Sequence, residues 1–311
     1  MTSPSATSPP ASPASSRPPL PRNPPRVPPV SAPVTELWNP ARLALGFVIL
    51  FALFVPLETL FPIVRRQFWQ RPGLRADLIH FFVTGGIRKL LTLFVVFGLI
   101  QALGFLVYPP LQQSLLALPR WSQFLIAIFI FELGTYWGHR WAHTVPFLWR
   151  FHAVHHSSEH LDWAAASRLH PVDQTFIRIC GIIPVYLLGF TKETFGFLIA
   201  IDGLLAIFIH ANVRFRFGPL ERLIATPAFH HWHHANESAA TTNKNFAGLL
   251  PGFDWLFGSL HLPARYPNRY GIDELMPDSY LGQLAQPFRS PSAAPAPTGS
   301  AAAPAGEKSS E

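Results

Sequence analysis

Twelve of the fourteen histidines in this 311-residue chain fall between His139 and His234, and most stand three or four residues from another. Residues so spaced share one helix face, with Cβ atoms about 5–6 Å apart. That suits imidazoles converging on a metal ion. The first pair is His139 and His143 in "GHRWAH". A second group is His152, His155 and His156 in "HAVHH", and a third is His230, His233 and His234 in "HHWHH". Pro146 lies between the first two, so they belong to different helices or to either side of a break. His170 in "RLHP" and His210 in "HAN" stand alone. Together these ten are the candidate ligands. They exceed the four to six positions of one metal and suit two metals, each with about four or five nitrogens. Imidazole binds Zn, Cu, Fe and Ni, so ligand type alone leaves the metal open. His231 competes with His230, and the three-four offset favours His230. His80, His160 and His261 lie outside the groups.

A lone histidine pair on a helix is common and carries little. Two HxxHH groups with an HxxxH pair resist explanation as packing, because each buried neutral imidazole needs a partner. Clustered charged ones repel. The single cysteine, Cys180, rules out a disulfide framework or a thiolate cluster and reads as a small packing residue.

The elements that position these histidines are apolar. Hydrophobic residues make up 49% of the chain and charged ones 13%, against about 25% in ordinary proteins. Mean hydropathy is +0.23 even though both ends are polar and proline-rich. Apolar runs cover 43–57 (continuing past Glu58 to Val64), 90–111, 121–138, 175–190 and 194–210. A spanning helix needs about 20 such residues. The last two runs read as a helical hairpin that enters the membrane partway and brings His170 and His210 to one level.

The expected fold is all-α, an integral membrane bundle of about four transmembrane helices. A cytoplasmic histidine-rich helical cap holds the di-metal site. Residues 1–35 and 290–311, rich in Pro, Ser and Ala, are expected to be disordered tails around one domain at 36–289. No apolar core follows Met1, so no secretory signal is read.

The formal charge is +7. Its basic residues sit beside apolar runs (Arg65, Arg66, Arg71, Arg75, Arg88, Lys89), which fits membrane orientation and not a nucleic-acid surface. The loop carrying these six is expected on the cytoplasmic side, and the histidines with it. Carboxylates near the ligands are candidate outer-shell groups. Glu132 precedes His139 by seven residues, about 10 Å along a helix, too far for direct ligation; it either serves the centre or pairs with Arg178. Asp162, Asp173 and Asn212 are the others.

Five motifs in order, "GHRWAH", "HAVHHSSEHLDW", "SRLHP", "HAN" and "TPAFHHWHHA", resemble the fatty acid hydroxylase/sterol desaturase superfamily over roughly residues 40–265. The resemblance implies that the ten histidines hold two irons. It implies that O2 is the co-substrate and that a C–H bond of a lipid (sterol, fatty acyl or related) is hydroxylated or desaturated. His231 stands where family members often have another polar residue. No reductase or cytochrome b5-like segment is read, so the resemblance implies a separate electron donor, a reductase with cytochrome b5, a ferredoxin or similar. Two other classes stay in view. A zinc-dependent membrane hydrolase would want a carboxylate base and about three protein ligands per metal. A non-enzymatic metal transporter would want ionisable residues along a continuous path.

Overall fold

In a computed structural model, residues 39–65 and 70–289 are described; the two expected tails lie outside them. Ten α-helices carry the described residues: α1 Pro40–Leu60, α2 Leu74–Leu106, α3 Pro109–Leu116, α4 Arg120–Thr144, α5 Pro146–His156, α6 Pro171–Leu187, α7 Lys192–His210, α8 Pro227–His233, α9 Gly252–Leu256 and α10 Tyr280–Ala285. No strand occurs among them, only the isolated bridges Pro62↔Val213 and Ala235↔Tyr270. The all-helical expectation holds.

Local chemistry sets the boundaries. The Asn39 side chain accepts from the Arg42 N–H, with Pro40 at the first helical position of α1. Pro146, Pro171 and Pro227 likewise open α5, α6 and α8. Gly73 enters α2 at φ +83° in a space closed by the Arg168 guanidinium, so only glycine serves there. One π-helical turn, His80–Thr84, interrupts α2.

Three helices, α1, α2 and α7, are long and apolar enough to cross a membrane. The second apolar run of the sequence starts at residue 90. The helix starts at Leu74 and takes in Arg75, Arg88 and Lys89, so these three belong to α2 and not to a loop. Its polar first turn is held by Asp77, which pairs with Arg71 (2.6 Å) and Arg168 (2.5 Å). The last two runs do form consecutive helices, joined by a short turn at Gly189 (φ +79°).

Helices α4 and α6 meet backbone to backbone. A Cβ on Gly134 would overlap the Cys180 carbonyl, and one on Gly181 would lie 2.7 Å from the Phe131 oxygen. Small residues permit this approach where lipid gives no hydrophobic drive between helices. α4 and α6 carry His139, His143 and Asp173, so their register sets part of the site. A buried ionic network fixes the segment after α5. Asp162 accepts from Arg71 Nε (2.5 Å) and Nη2 (2.9 Å) and from the N–H groups of Ala164 and Ala165. Glu58 at the end of α1 accepts from the N–H of Trp163 (2.8 Å) and of Asn212 (2.9 Å). α1, the 157–170 segment and the exit of α7 are thereby tied together.

Gly134→Ala should cost about 1–3 kcal/mol by overpacking and lower the thermal midpoint of detergent-solubilised protein. Gly98→Ala, where nothing lies within 4 Å, should not. Equal midpoints for the two variants would contradict the close crossing.

Candidate metal centre

Nine of the ten candidate histidines converge in two adjoining groups. His139, His143, His152, His156 and His233 form one; His155, His210, His230 and His234 form the other. Within each group the ligand atoms lie within 4.8 Å of one another. Four elements deliver them. α4 brings His139 and His143, α5 brings His152, His155 and His156, the last residue of α7 is His210, and α8 with its C-cap gives His230, His233 and His234. The i, i+3, i+4 spacing of α5 divides its three histidines between the groups, and that of α8 divides its own.

Outward-facing nitrogens are anchored. Nδ1 of His139 donates to the Phe246 carbonyl (2.7 Å), of His155 to Arg168 (3.0 Å), of His210 to Ala206 (2.6 Å) and of His233 to Lys244 (2.8 Å). His152 Nδ1 donates to both carboxylate oxygens of Asp173 at 3.0 Å. A carbonyl can only accept, so each such ring carries its proton on Nδ1 and a bare lone pair on Nε2. Those lone pairs face one another. The Nε2 atoms of His139 and His152 are 3.1 Å apart, and those of His155 and His210 are 3.2 Å apart.

Two lone pairs at that distance repel unless a cation lies between them. A metal–imidazole bond of about 2.0–2.1 Å at right angles to a second gives a nitrogen separation of about 3 Å. His143 Nε2, buried and without a hydrogen-bond partner, belongs to the five-histidine group, while His230 and His234 bring their Nε2 atoms within 3.1 Å of each other and leave a buried Nδ1 without an anchor. The donor set therefore fits a metal ion in each.

Burial favours the neutral, ligating form. His152, His155, His156, His230, His233 and His234 are held well below the usual imidazole pKa, chiefly by desolvation and then, among themselves, by neighbouring histidines. Neither group includes a carboxylate or the thiol.

His170, expected as a ligand, is not brought to either group. Its Nδ1 accepts from the Val172 N–H as the N-cap of α6, and its Nε2 donates to the Leu284 carbonyl. His230 enters the centre, while His231 turns away to the Tyr270 hydroxyl (2.8 Å) and the Ala211 carbonyl (3.1 Å).

Of the outer-shell candidates, Asp173 touches a histidine of the centre directly. Asp162 reaches it only through the ion-pair network that fixes Arg168. The Asn212 amide binds the backbone of Ile63 and Val64. Glu132 does not pair with Arg178, which binds Asp202 (2.6 Å). Its Oε2 accepts from the N–H groups of Leu249 (2.8 Å) and Leu250 (3.3 Å). Glu132 thus holds the loop that presents Phe246.

The histidine spacing gives no sign of that loop. Asn243 and Asn245 adopt φ of 56° and 57°, a conformation asparagine tolerates. The Asn243 oxygen lies 3.2 Å from His143 Nδ1, and Asp254 accepts from the N–H of Phe246 and Ala247. The "NKN" asparagines were the one signal available. A cavity of about 320 Å³ opens onto His143, His156 and His233, walled by Trp149, Asn243 and Glu274.

Residues 124–259 match the family model described as fatty acid hydroxylase. Every one of the nine converging histidines lies inside that stretch. An ornithine lipid hydroxylase of Rhizobium tropici is 38% identical over 171 residues, 55% of this chain and 51% of that protein. The alkylglycerol monooxygenase of Danio rerio is 36% identical over 128 residues, 41% of this chain and 28% of that protein. A delta(7)-sterol 5(6)-desaturase of Gibberella zeae is 32% identical over 120 residues, 37% of this chain and 36% of that protein. The chain thus spans about half the length of the first of these relatives and less of the others. No solved structure matches it.

His156→Ala and His234→Ala should each deplete metal, the first from the five-histidine group and the second from the four. His170→Ala should keep both metals and lose about 1 kcal/mol of stability with the N-cap. Elemental analysis beside a thermal melt separates the cases, and metal loss in His170→Ala would restore it as a ligand. Asp173→Asn should weaken metal retention about 10–100-fold, read by competition with a chelator; unchanged retention would show that His152 needs no outer carboxylate.

Proposed function

We propose that this chain is an O2-dependent oxidoreductase that hydroxylates, or desaturates, an unactivated C–H bond of a lipid at a two-iron centre held by the nine converging histidines. The observation that carries this is the pair of adjoining all-imidazole groups with their lone pairs turned inward. The names of the relatives support it: a hydroxylase, a monooxygenase and a desaturase of lipids. Two of the three are oxygen-inserting by name, which favours hydroxylation.

Bound iron supplies the activation of O2, which side chains cannot perform. The protein's share is positional. Carbonyls of Phe246, Arg168, Ala206 and Lys244 and the Asp173 carboxylate hold the rings in one tautomer and orientation. Trp149, with its ring centroid 5.3 Å from His143 and 5.6 Å from His156, closes one side of the cavity. Asn236, Asn243, Asp273 and Glu274 give the cavity a polar side beside apolar Trp149, Ala235 and Ile272. That lining suits a lipid oxidised near its head group. The ornithine lipid and alkylglycerol in the relatives' names are amphiphiles of this sort. Electrons come from a separate donor.

The domain occupies residues 36–289. α1 and α2 cross the membrane, and α4 returns the chain from the far end of α2 to the histidines. α6 descends from the site and α7 climbs back to His210. The basic residues Arg65, Arg71 and Arg75 support a cytoplasmic orientation of the site, by the positive-inside rule.

Protein purified in nanodiscs under iron supplementation should contain about two irons per chain and consume O2 only with reductant. Mass spectrometry of co-incubated ornithine lipid should show one added oxygen. Iron-loaded protein that consumes no O2 with any donor, or a centre that binds only zinc after iron supplementation, would defeat the oxidase reading.

A further inference from the structure

Two segments outside the long apolar helices turn apolar side chains outward. In the turn around Gly218–Arg222 and just beyond it, Leu220, Leu223 (62% exposed) and Ile224 are open, and in α9 so are Trp255 (74%) and Leu256. The segments are neighbours: the Ala225 N–H donates to the Leu249 carbonyl at 2.8 Å, and Ala225 and Phe253 share one core cluster.

Two contacts fix their level along α4. Glu132 binds the N–H groups of Leu249 and Leu250. The Phe253 ring lies 5.2 Å from that of Phe129, itself exposed beside exposed Leu125. Glu132 and Phe129 precede His139 by seven and ten residues, about 10 and 15 Å along the axis. The turn therefore hangs from the metal centre down the flank of α4, on the outside of the bundle.

Irregular backbone survives at membrane depth only where protein satisfies its polar groups. A buried carboxylate on α4 does that for Leu249 and Leu250. Tryptophan favours the membrane–water boundary, and the exposed Arg214 and Arg222 complement anionic head groups.

We propose that residues 220–224 and 255–256 form a further bilayer contact, a re-entrant edge bedded in the leaflet nearest the metal centre. The proposal rests on the helices crossing the membrane and is independent of the metal and the reaction. A second copy of the chain or the electron donor would be the competing occupants.

The test uses full-length protein in nanodiscs of phosphatidylcholine and phosphatidylglycerol. Leu223→Cys and Trp255→Cys, each in a Cys180→Ser background, carry a nitroxide whose collisions with O2 and with a water-soluble nickel chelate are compared. Phe94→Cys on α2, 77% exposed, and Ser238→Cys, exposed on the polar side, are the references. Labels at 223 and 255 should match 94, with O2 collisions dominant. Matching 238 overturns the proposal. Shielding from both reagents with spin–spin broadening between copies overturns it in favour of a self-interface. Nickel access at 94 as well would sink the membrane-crossing reading with it, whereas nickel access at 223 and 255 alone sinks only this inference. Brominated-lipid quenching of unlabelled protein gives a second measure: Trp255→Phe should remove a strongly quenched component, and its persistence would count against the contact.

Discussion

The structure turns on a set of lone pairs pointed at each other. Nine imidazoles converge in two groups, and at least five of them have the proton fixed on the outward nitrogen by an acceptor that cannot donate or, for His152, by a carboxylate. Without cations this is a costly arrangement: buried, desolvated and mutually repulsive. With them, the outward hydrogen bonds and the inward ligation strengthen each other. The groups are adjoining because the three-four offset on α5 and on α8 sends alternate histidines to each centre. Two short helices therefore fix the spacing of both sites.

Holding that arrangement explains how the buried carboxylates are used. Glu58, Glu132, Asp162 and Asp254 each accept backbone N–H groups where the chain leaves regular structure. In a bundle where water is scarce, irregular backbone needs such acceptors. Each lies one step behind a segment that presents a carbonyl to a histidine. Glu132 and Asp254 support Phe246, and Asp162, through Arg71 and Asp77, supports Arg168. Asp173 alone of the outer-shell candidates acts directly on an imidazole. The metal groups thus remain free of anionic ligands while acidic residues stabilise the loops behind them.

This division of labour also decides what the sequence could disclose. The histidine groups were legible because helical spacing converts directly into a shared face, and Pro146 marked the break between α4 and α5. His170 was less legible: a histidine before a proline reads equally as a ligand or as an N-cap, and here Val172 and, in α10, Leu284 take its two nitrogens. Asp162, Asn212 and Glu132 looked like outer-shell groups from their proximity in sequence or helical phase. Glu132 and Asn212 instead bind backbone groups about 120–150 positions away, Asp162 binds the Arg71 guanidinium and its own following N–H groups, and main-chain partners leave no mark in residue type. The start of α2 was misplaced for a related reason. Charges at Arg75, Arg88 and Lys89 read as a loop, whereas tertiary pairing of Asp77 carries the helix through its polar first turn.

The two groups are not equivalent, and the difference follows from chain geometry. The four-histidine group lies where α7 ends against α8 and α5, and all four of its residues are buried. The five-histidine group includes the half-buried His139 and His143 near the C-terminal end of α4, where the helix stops and α5 turns away. The cavity opens there, onto His143, His156 and His233 and none of the other four. Small molecules therefore meet the five-histidine group first. The enclosed group is reached only through the shared helices, with His155 and His156 adjacent on α5 and His233 and His234 adjacent at α8. The two groups touch through several rings: His155 and His156 (5.5 Å), His233 and His234 (5.2 Å), His156 and His234 (4.3 Å), His152 and His155 (5.5 Å) and His230 and His233 (5.0 Å).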